Sequence, residues 1–295
     1  MTEVQRPWGE YGTVIKTGDP LREAGLNWHV DHAPQYVTIH NHRAKTGNYA
    51  YIKDLDRKVL SANVGALQFP LQNDTALELF SRYRSKIVAA GTLRDDKLVW
   101  FLGETGHKFK LGGNDICTAH VLFTNYHDPN KAPDARFLMI REASFSVLGN
   151  EMIVEYETTS GNEPAMIENM VAAKTEEWHK VARAMAAKEC SVAEMRAFIL
   201  KIFPLSGIGK SKWDISIPAR RTINIIDDFP GARLGAHTWW HAYNAVCYSI
   251  DHLLGHGAQT RLDSSWYGIN QKRKEVALKY ITRIIKHKKG ELNAV

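Results

Sequence analysis

Histidine side chains recur in one apolar segment of this chain at the spacing of metal ligands. His237 and His241 are four residues apart, as are His252 and His256, and two histidines one helical turn apart can bind the same ion. On a helix the two pairs would lie about 16 Å apart, so they cannot form one site. Neither pair has the intervening Glu of the His-Glu-x-x-His hydrolase motif. We therefore predict no metal and no other cofactor, and interpret these side chains as facing solvent or phosphate.

Two other short patterns suggest chemistry without meeting its requirements. Residues 209–211 (Gly-Lys-Ser) end like a phosphate-binding loop, but that motif needs a Gly where this chain has Pro204 and a strand where we expect a helix. His127 and Asp128 suggest acid–base catalysis, yet the Asn, Asp and Pro residues around them are typical of a turn that ends a strand. The sequence contains no nucleophile elbow, paired-carboxylate motif or dinucleotide-binding glycine loop. We predict no catalytic residue and a protein that is not an enzyme.

Basic charge is the strongest functional signal in the sequence. Residues 261–295 contain 9 Lys and Arg against 3 Asp and Glu, so they alone carry the net charge of +6 of the whole chain. A dense cationic face attracts polyanions and releases counterions when it contacts phosphates. Nucleic acid is therefore the first partner to consider, and a solvated helix with a basic tip is the alternative.

The residues predicted to bind nucleic acid form three groups. Phosphate contacts are assigned to the C-terminal cations Lys272, Arg273, Lys274, Lys279, Arg283 and Lys286. A second basic group, which could form an aromatic-bearing loop on a single strand, comprises Lys210, Lys212, Trp213, Arg220 and Arg221. Base stacking is assigned to Trp213, Trp266 or Tyr267. Trp239 and Trp240 are expected in the core or in a subunit interface.

Composition indicates an ordinary globular protein. The chain has 295 residues, of which 44% are hydrophobic and 24% charged, and this length allows one large domain or two smaller ones. No basic-then-apolar leader follows Met1, and no apolar run is long enough to span a membrane. We expect a cytoplasmic protein without membrane contact. Its three cysteines, Cys117, Cys190 and Cys247, are too few and too widely spaced for a disulfide framework and are expected as buried thiols.

The first half of the chain reads as strands with one inserted helix. Residues 73–84 have a helical pattern with an Asn or Asp cap. Short segments rich in β-branched and aromatic residues predict strands at 36–39, 49–52, 59–64, 97–102 and 119–124, and 135–147 and 152–158 have the same texture. The fold class predicted is α+β, with a mixed or antiparallel sheet in residues 1–160 packed against helices.

The second half, residues 161–295, reads as helical. Helices are predicted at 163–190, at 191–204 with a capping box from Ser191 and Glu194, at 237–254 with one apolar face, and at 271–289. Residues 205–234 are predicted as a long loop. In the last helix Val276, Tyr280 and Ile284 form an apolar stripe between cations, so we expect a docked basic helix instead of a loose tail. The two parts are expected to form one composite domain.

Several segments resemble a family of phage, prophage and plasmid proteins known only as domain of unknown function 932, or phage/plasmid-like protein. They read AGLNWHVDHAPQYV at 24–37, KVLSANVGALQFPLQNDTALELF at 58–80, AGTLRDDKLVWFLGE at 90–104, VLFTNYHDPNKA at 121–132, and NAVCYSIDH and TRLDSSWYG at 244–252 and 260–268. The family has small residues where this chain has Pro129 and Asn130, and it often carries an Arg-x-x-Cys-x-Asn stretch where this chain reads REASFS at 141–146. A role tied to that stretch is therefore not carried over.

The resemblance indicates the genetic context of the family more directly than a biochemical activity. Family members look like neighbours of recombination, single-strand-binding and anti-restriction genes, and some are similar to the RecT, Redβ and Erf single-strand annealing proteins. This implies an ATP-independent single-stranded DNA binding and annealing protein that acts in recombination in the cytoplasm of a bacterial host cell, self-associated in rings or filaments. Two alternatives stay open: an interaction protein that inhibits a host defence or nuclease, and a nucleic-acid enzyme with His127 and Asp128 in its site.

Overall fold

A computed structural model describes residues 6, 8, 12–83, 85–155, 164–205 and 215–291 of the chain. The predicted α+β class is confirmed: two antiparallel sheets occupy the N-terminal half, and helices occupy the C-terminal half. The predicted loop residues Lys210, Lys212 and Trp213 lie outside the described residues.

The larger sheet has six strands in the order β1-β5-β6-β7-β8-β9. Their bounds are β1 Gly12–Val14, β5 Lys86–Leu93, β6 Leu98–Leu111, β7 Asp115–Tyr126, β8 Asp134–Arg141 and β9 Ser146–Glu155. The central strands are apolar on both faces, because Val99 and Phe101 pack in one cluster and Trp100 and Leu102 in the other. This explains why the sequence shows continuous apolar runs here instead of strict alternation.

A smaller sheet of three strands, in the order β2-β3-β4, precedes the larger one in the chain. Its strands are β2 Val30–Ile39, β3 His42–Lys53 and β4 Val59–Val64. β2 and β3 form a long hairpin that turns at His40 and Asn41. Both turn residues have positive φ, 46° and 67°, the geometry that suits the twist of a two-residue hairpin loop.

Eight α-helices are described in the ranges given above, with one π-helical turn. The helices are α1 Pro20–Glu23, α2 Asn73–Ser81, α3 Pro164–Ala186, α4 Val192–Ile202, α5 Ile217–Asn224, α6 Trp239–Tyr248, α7 Ala258–Tyr267 and α8 Ile269–Glu291. The π-helical turn, Ser249–Leu253, continues α6 directly. The predicted capping box of Ser191 and Glu194 at α4 is confirmed.

The sheet and the helices share their core. One cluster joins sheet residues such as Phe101 and Phe123 to Phe198 of α4 and Trp239 of α6. The opposite face of the sheet is covered by Trp8 and by Leu262 and Trp266 of α7. The three cysteines are buried and free, as predicted.

Two buried ion pairs, one within the sheet and one within the helical half, each have a carboxylate that also accepts a hydrogen bond from the other half. Arg141 at the end of β8 donates to both carboxylate oxygens of Asp115 at 2.7 and 2.8 Å, and the indole of Trp240 donates to the same carboxylate at 2.8 Å. Lys274 of α8 donates to Asp251 of the π-helical turn at 2.6 Å. Asp251 also accepts from the backbone amide of Val147 at 2.8 Å. Each pair links groups distant in sequence, so each one depends on the tertiary fold.

Three predictions about the helical half are wrong in detail. Part of the loop predicted at 205–234 is the helix α5. α6 starts at Trp239, so His237 precedes the helix, and Thr238 caps it by accepting the amide of His241. The predicted polar side of this helix is absent, because every residue from Trp239 to Cys247 is buried.

Among the described residues, no helix is both long and apolar enough to cross a membrane.

Candidate nucleic-acid interface on α8

The C-terminal helix α8 docks through one face. Ala277 and Ile281 are fully buried on it, and Tyr280, Ile284 and Ile285 pack at the edges of the core. The prediction of a docked basic helix is therefore confirmed, but the predicted stripe is misplaced at its start. Val276 is 55% exposed, so the buried stripe runs one residue later, through Ala277.

Four predicted phosphate-binding residues share the opposite face of α8. Lys272, Lys279, Arg283 and Lys286 are all exposed, and at 100° per residue they fall within a sector of about 60°. They extend over about 21 Å of helix at about 1.5 Å per residue. We call these four residues the α8 cationic face.

The α8 cationic face is little neutralised. None of its four cations forms an ion pair with a carboxylate of the residues that the structure describes. Glu275, at the margin of the face, accepts a hydrogen bond from Gln271 of the same helix. A row of unpaired, exposed cations on a fixed helix produces a local positive potential that favours polyanions.

Lys274 was also expected to contact phosphate, but it does not lie on the α8 cationic face. Its side chain is 4% exposed and donates to Asp251 at 2.6 Å and to the hydroxyl of Ser265 at 3.0 Å. The buried carboxylate of Asp251 requires a buried cation, since an unpaired charge in the interior is strongly destabilising. Lys274 therefore serves the fold and is unavailable to a phosphate.

The side chains of Trp266 and Tyr267, which were expected to stack on bases, are also held inside the fold. Trp266 is fully buried and packs edge-on against Trp100, with ring centroids 5.0 Å apart. The hydroxyl of Tyr267 is bonded to Thr124 at 2.8 Å. Its ring is approached by Arg94 and Arg136, whose guanidinium carbons lie 5.5 and 5.2 Å from the centroid. Both aromatic rings are thus occupied by the fold, because α7 packs on the sheet.

The arginines beside Tyr267 are held by carboxylates. Arg94 makes a bidentate contact with Asp263, with its closest nitrogen at 2.8 Å, and Arg136 contacts both oxygens of Asp134 at 3.0 and 3.1 Å. Burial raises the pKa of Tyr267 well above its ordinary value. This cluster is a neutralised joint between α7 and the sheet, in contrast to the unpaired α8 cationic face.

Two further basic residues, one on α8 itself and one on α4, lie beside the packed side of α8. Arg273 is half-buried, with its guanidinium carbon 5.9 Å from the ring of Phe203 and one nitrogen donating to Asn270 at 2.7 Å. The ammonium of Lys201 on α4 lies 5.7 Å from the ring of Tyr280. Sequence reasoning missed Lys201, because only the packing of α4 on α8 brings it beside the basic helix.

The predicted cations Arg220 and Arg221 lie on α5 and are exposed. The capping residue of α5, Ser216, donates to the carbonyl oxygen of Phe203 at 2.7 Å, the residue that Arg273 covers. The start of α5 is therefore a neighbour of the first turns of α8. Arg221 donates to the carbonyl oxygen of Leu253 at 2.9 Å, which fixes the end of the π-helical turn, whereas Arg220 makes no ion pair within the described ranges.

The histidines that suggested chemistry lie in separate environments. His241 is buried and its Nε2 donates to the carbonyl oxygen of Ile226 at 2.5 Å, while His237 is exposed ahead of the helix. His252 stacks on Tyr248 with ring centroids 4.5 Å apart, and His256 is exposed. In the described part of the chain, no three His, Cys, Asp or Glu side chains are grouped to hold a metal ion.

His127 and Asp128 do not form an acid–base pair in this structure. His127 is fully buried, its Nε2 donates to Asn73 at 3.2 Å, and burial lowers its pKa to about 4. Asp128 instead accepts the amide of Asn130 at 3.0 Å within the following turn. Both residues follow the end of β7 at Tyr126, as the predicted strand-ending turn requires.

The molecule is thus an α+β protein whose helical half presents a cationic helix face that forms no ion pair with the described residues. Residues 66–143 match the family described as Domain of unknown function (DUF932), the family that the sequence motifs predicted. The matched segment contains α2 and β5 to β8; α8 lies outside it. No curated protein and no solved structure matches the chain. A relationship to the RecT, Redβ and Erf proteins stays a prediction.

Proposed function

We propose that this protein binds single-stranded DNA without a nucleotide or metal and anneals complementary strands in recombination. The α8 cationic face is the observation that carries the proposal. Its cations are exposed, unpaired within the described residues and held on a docked helix. Cations of this kind contact phosphates without reading sequence, which is the property an annealing protein needs.

Self-association along the strand belongs to the same proposal. A face of about 21 Å covers only a short length of strand, so coverage of a long strand requires many copies. We expect rings or filaments that depend on DNA, visible as particles only when single-stranded DNA is present. Particles that are identical with and without DNA would contradict this part of the proposal.

The binding test uses a labelled oligonucleotide and fluorescence anisotropy across a salt series. For the unmodified protein, log affinity should fall linearly with log salt, with a slope of about −0.7 per phosphate contacted. In Lys279→Gln/Arg283→Gln/Lys286→Gln, the slope should become shallower by about 2, because three contacts are lost.

A control variant separates a local interface from overall charge. Lys86→Gln/Lys108→Gln/Lys110→Gln removes the same charge from exposed residues of β5 and β6 and should keep the slope of the unmodified protein. Equal losses in the two triple variants would mean that binding follows net charge and not the α8 cationic face. No binding at low salt, or an affinity indifferent to salt, would refute the proposed function.

One observation favours a second candidate, an interaction protein that inhibits a host defence or nuclease. Leu67 and Phe69, between β4 and α2, are 90% and 71% exposed, and exposed apolar side chains close together are typical of protein contacts. A pull-down from host extract should then recover one stoichiometric protein without nucleic acid. Its recovery should be lost in Leu67→Ser/Phe69→Ser.

A further inference from the structure

The β2–β3 hairpin extends from the protein as an arm. All residues from 36 to 48 are exposed, on both faces of the hairpin, so no described part of the chain covers it. The paired tip, from Tyr36 opposite Lys45 to Ile39 opposite His42, projects by about 10 Å at about 3.3 Å per residue. A two-stranded hairpin is marginally stable in water, so this arm would gain order from a ligand.

The two faces of the arm differ in chemistry. Side chains alternate along a strand, and the pairs Tyr36 with Lys45 and Thr38 with Arg43 therefore share one face. The guanidinium carbon of Arg43 lies 3.9 Å from the centroid of the Tyr36 ring, which agrees with this assignment. The opposite face carries Val37 and Ile39, 42% and 59% exposed.

The charge of the arm selects its partner. Residues 32–53 contain no Asp or Glu, while Arg43 and Lys45 supply cations near the tip. Tyr36 is 43% exposed, so much of its side chain is accessible beside the guanidinium of Arg43. A base stacked on the exposed part of the ring would bring its flanking phosphate within reach of these two cations, the combination of aromatic platform and cation used on single strands.

We infer that the Tyr36, Arg43 and Lys45 face of the hairpin arm is a second contact surface for single-stranded nucleic acid. This inference rests on the proposed function, and it adds the base-stacking component that Trp266 and Tyr267 do not supply. The α8 cationic face contacts phosphates only, whereas the arm contacts both a base and its neighbouring phosphates. The arm also lies outside the segment that matches the DUF932 family.

The test compares substitutions on the two faces of the arm in the full chain. Tyr36→Ala should weaken binding of a labelled single strand by about 5- to 150-fold, the equivalent of one lost base stack. Arg43→Gln/Lys45→Gln should make the salt slope shallower by about 1.4, since two phosphate contacts are lost. The matched control Val37→Thr/Ile39→Thr alters the opposite face and should leave affinity within about twofold of the unmodified protein. Because all five side chains are exposed, the variants should unfold at the same temperature as the unmodified protein.

The outcomes separate this inference from the proposed function. If the unmodified protein binds and the α8 triple variant loses binding while Tyr36→Ala and Arg43→Gln/Lys45→Gln do not, the arm inference is wrong and the proposed function stands. If the unmodified protein does not bind nucleic acid, both are wrong. If Val37→Thr/Ile39→Thr alone loses binding and changes the oligomeric state, the arm joins copies of the chain and the inference is overturned.

Discussion

Lys274 and Lys279 lie five residues apart on α8, in opposite environments. Lys274 is buried against Asp251 and Ser265, whereas Lys279 is exposed in a row of cations that form no ion pair with the described residues. The same side chain therefore stabilises the fold in one position and is free for a ligand in the other. A buried polar group is held by a specific partner, and an exposed one is available because the fold gives it no partner. This difference separates structural charge from candidate functional charge throughout the molecule.

The largest expected effect is the decrease in stability that follows when the buried pair of Lys274 and Asp251 is broken. Lys274→Ala leaves Asp251 charged and unpaired in the interior and should lower the free energy of unfolding by about 3–5 kcal/mol in urea titrations. Lys279→Ala, the matched change on the exposed face, should alter it by about 0.5 kcal/mol or less. The double variant Asp251→Asn/Lys274→Met should lose less than Lys274→Ala, because both charges are removed together. If Lys274→Ala and Lys279→Ala had equal free energies of unfolding, the distinction between the buried and the exposed lysine would be wrong.

The buried histidines should make stability depend on pH. Burial lowers the pKa of His127 and of His120 to about 4, below the ordinary 6.5. Between pH 4 and 6.5 the unfolded chain binds protons at these sites that the folded chain does not, so stability falls as the pH is lowered through this window. Each histidine contributes on the order of 3 kcal/mol to the total loss.

Substitution of a buried and an exposed histidine tests this dependence. His127→Gln retains an amide that can donate to Asn73 but cannot be protonated, so the loss of unfolding free energy between pH 6.5 and 4 should become smaller. His256→Gln, at an exposed position, should leave the pH profile unchanged. A profile that His127→Gln does not alter would show that this histidine is not protonated on unfolding.

The smallest expected effect is a steeper salt dependence of DNA binding in a variant with one additional cation. Val276 is exposed at the margin of the α8 cationic face, about 20° outside its sector, and Val276→Lys adds a fifth cation beside the other four. The salt slope of DNA binding should become steeper by about 0.7, with the unfolding free energy changed by about 0.5 kcal/mol or less. Val192→Lys, at an exposed position of α4, is the matched control and should leave the slope unchanged. A steeper slope in both variants would indicate attraction by net charge alone.

Local sequence patterns predicted most of the elements. Strand segments such as 59–64 and the helix that begins at Asn73 appear where expected, and the capping box at Ser191 is formed. These features depend on propensity and on contacts within a few residues. β5 was not predicted because its small residues, such as Ala89, Ala90 and Gly91, lack the bulky β-branched pattern, and only its neighbours in the sheet define it.

The candidate site was predicted in part, and the errors have one physical cause. The exposed row of α8 was identified from its charge, but the burial of Lys274 depends on Asp251, 23 residues earlier in the chain. Residues 36–39 were predicted as a strand, but the absence of a covering element among the described residues cannot be inferred from local pattern. Burial is a property of the whole fold, so charge and aromatic content alone overestimate the set of available residues.

The docking of α8 also fixes the length over which its cations are presented. A loose basic tail would adapt to strands of any length, but a rigid helix presents its cations over a constant distance of about 21 Å. At about 3.4 Å between stacked nucleotides, this row corresponds to about six nucleotides per copy. Under the proposed function, the distance from Lys272 to Lys286 would set the length of strand that α8 covers, and a longer strand would be bound by the hairpin arm or by another copy.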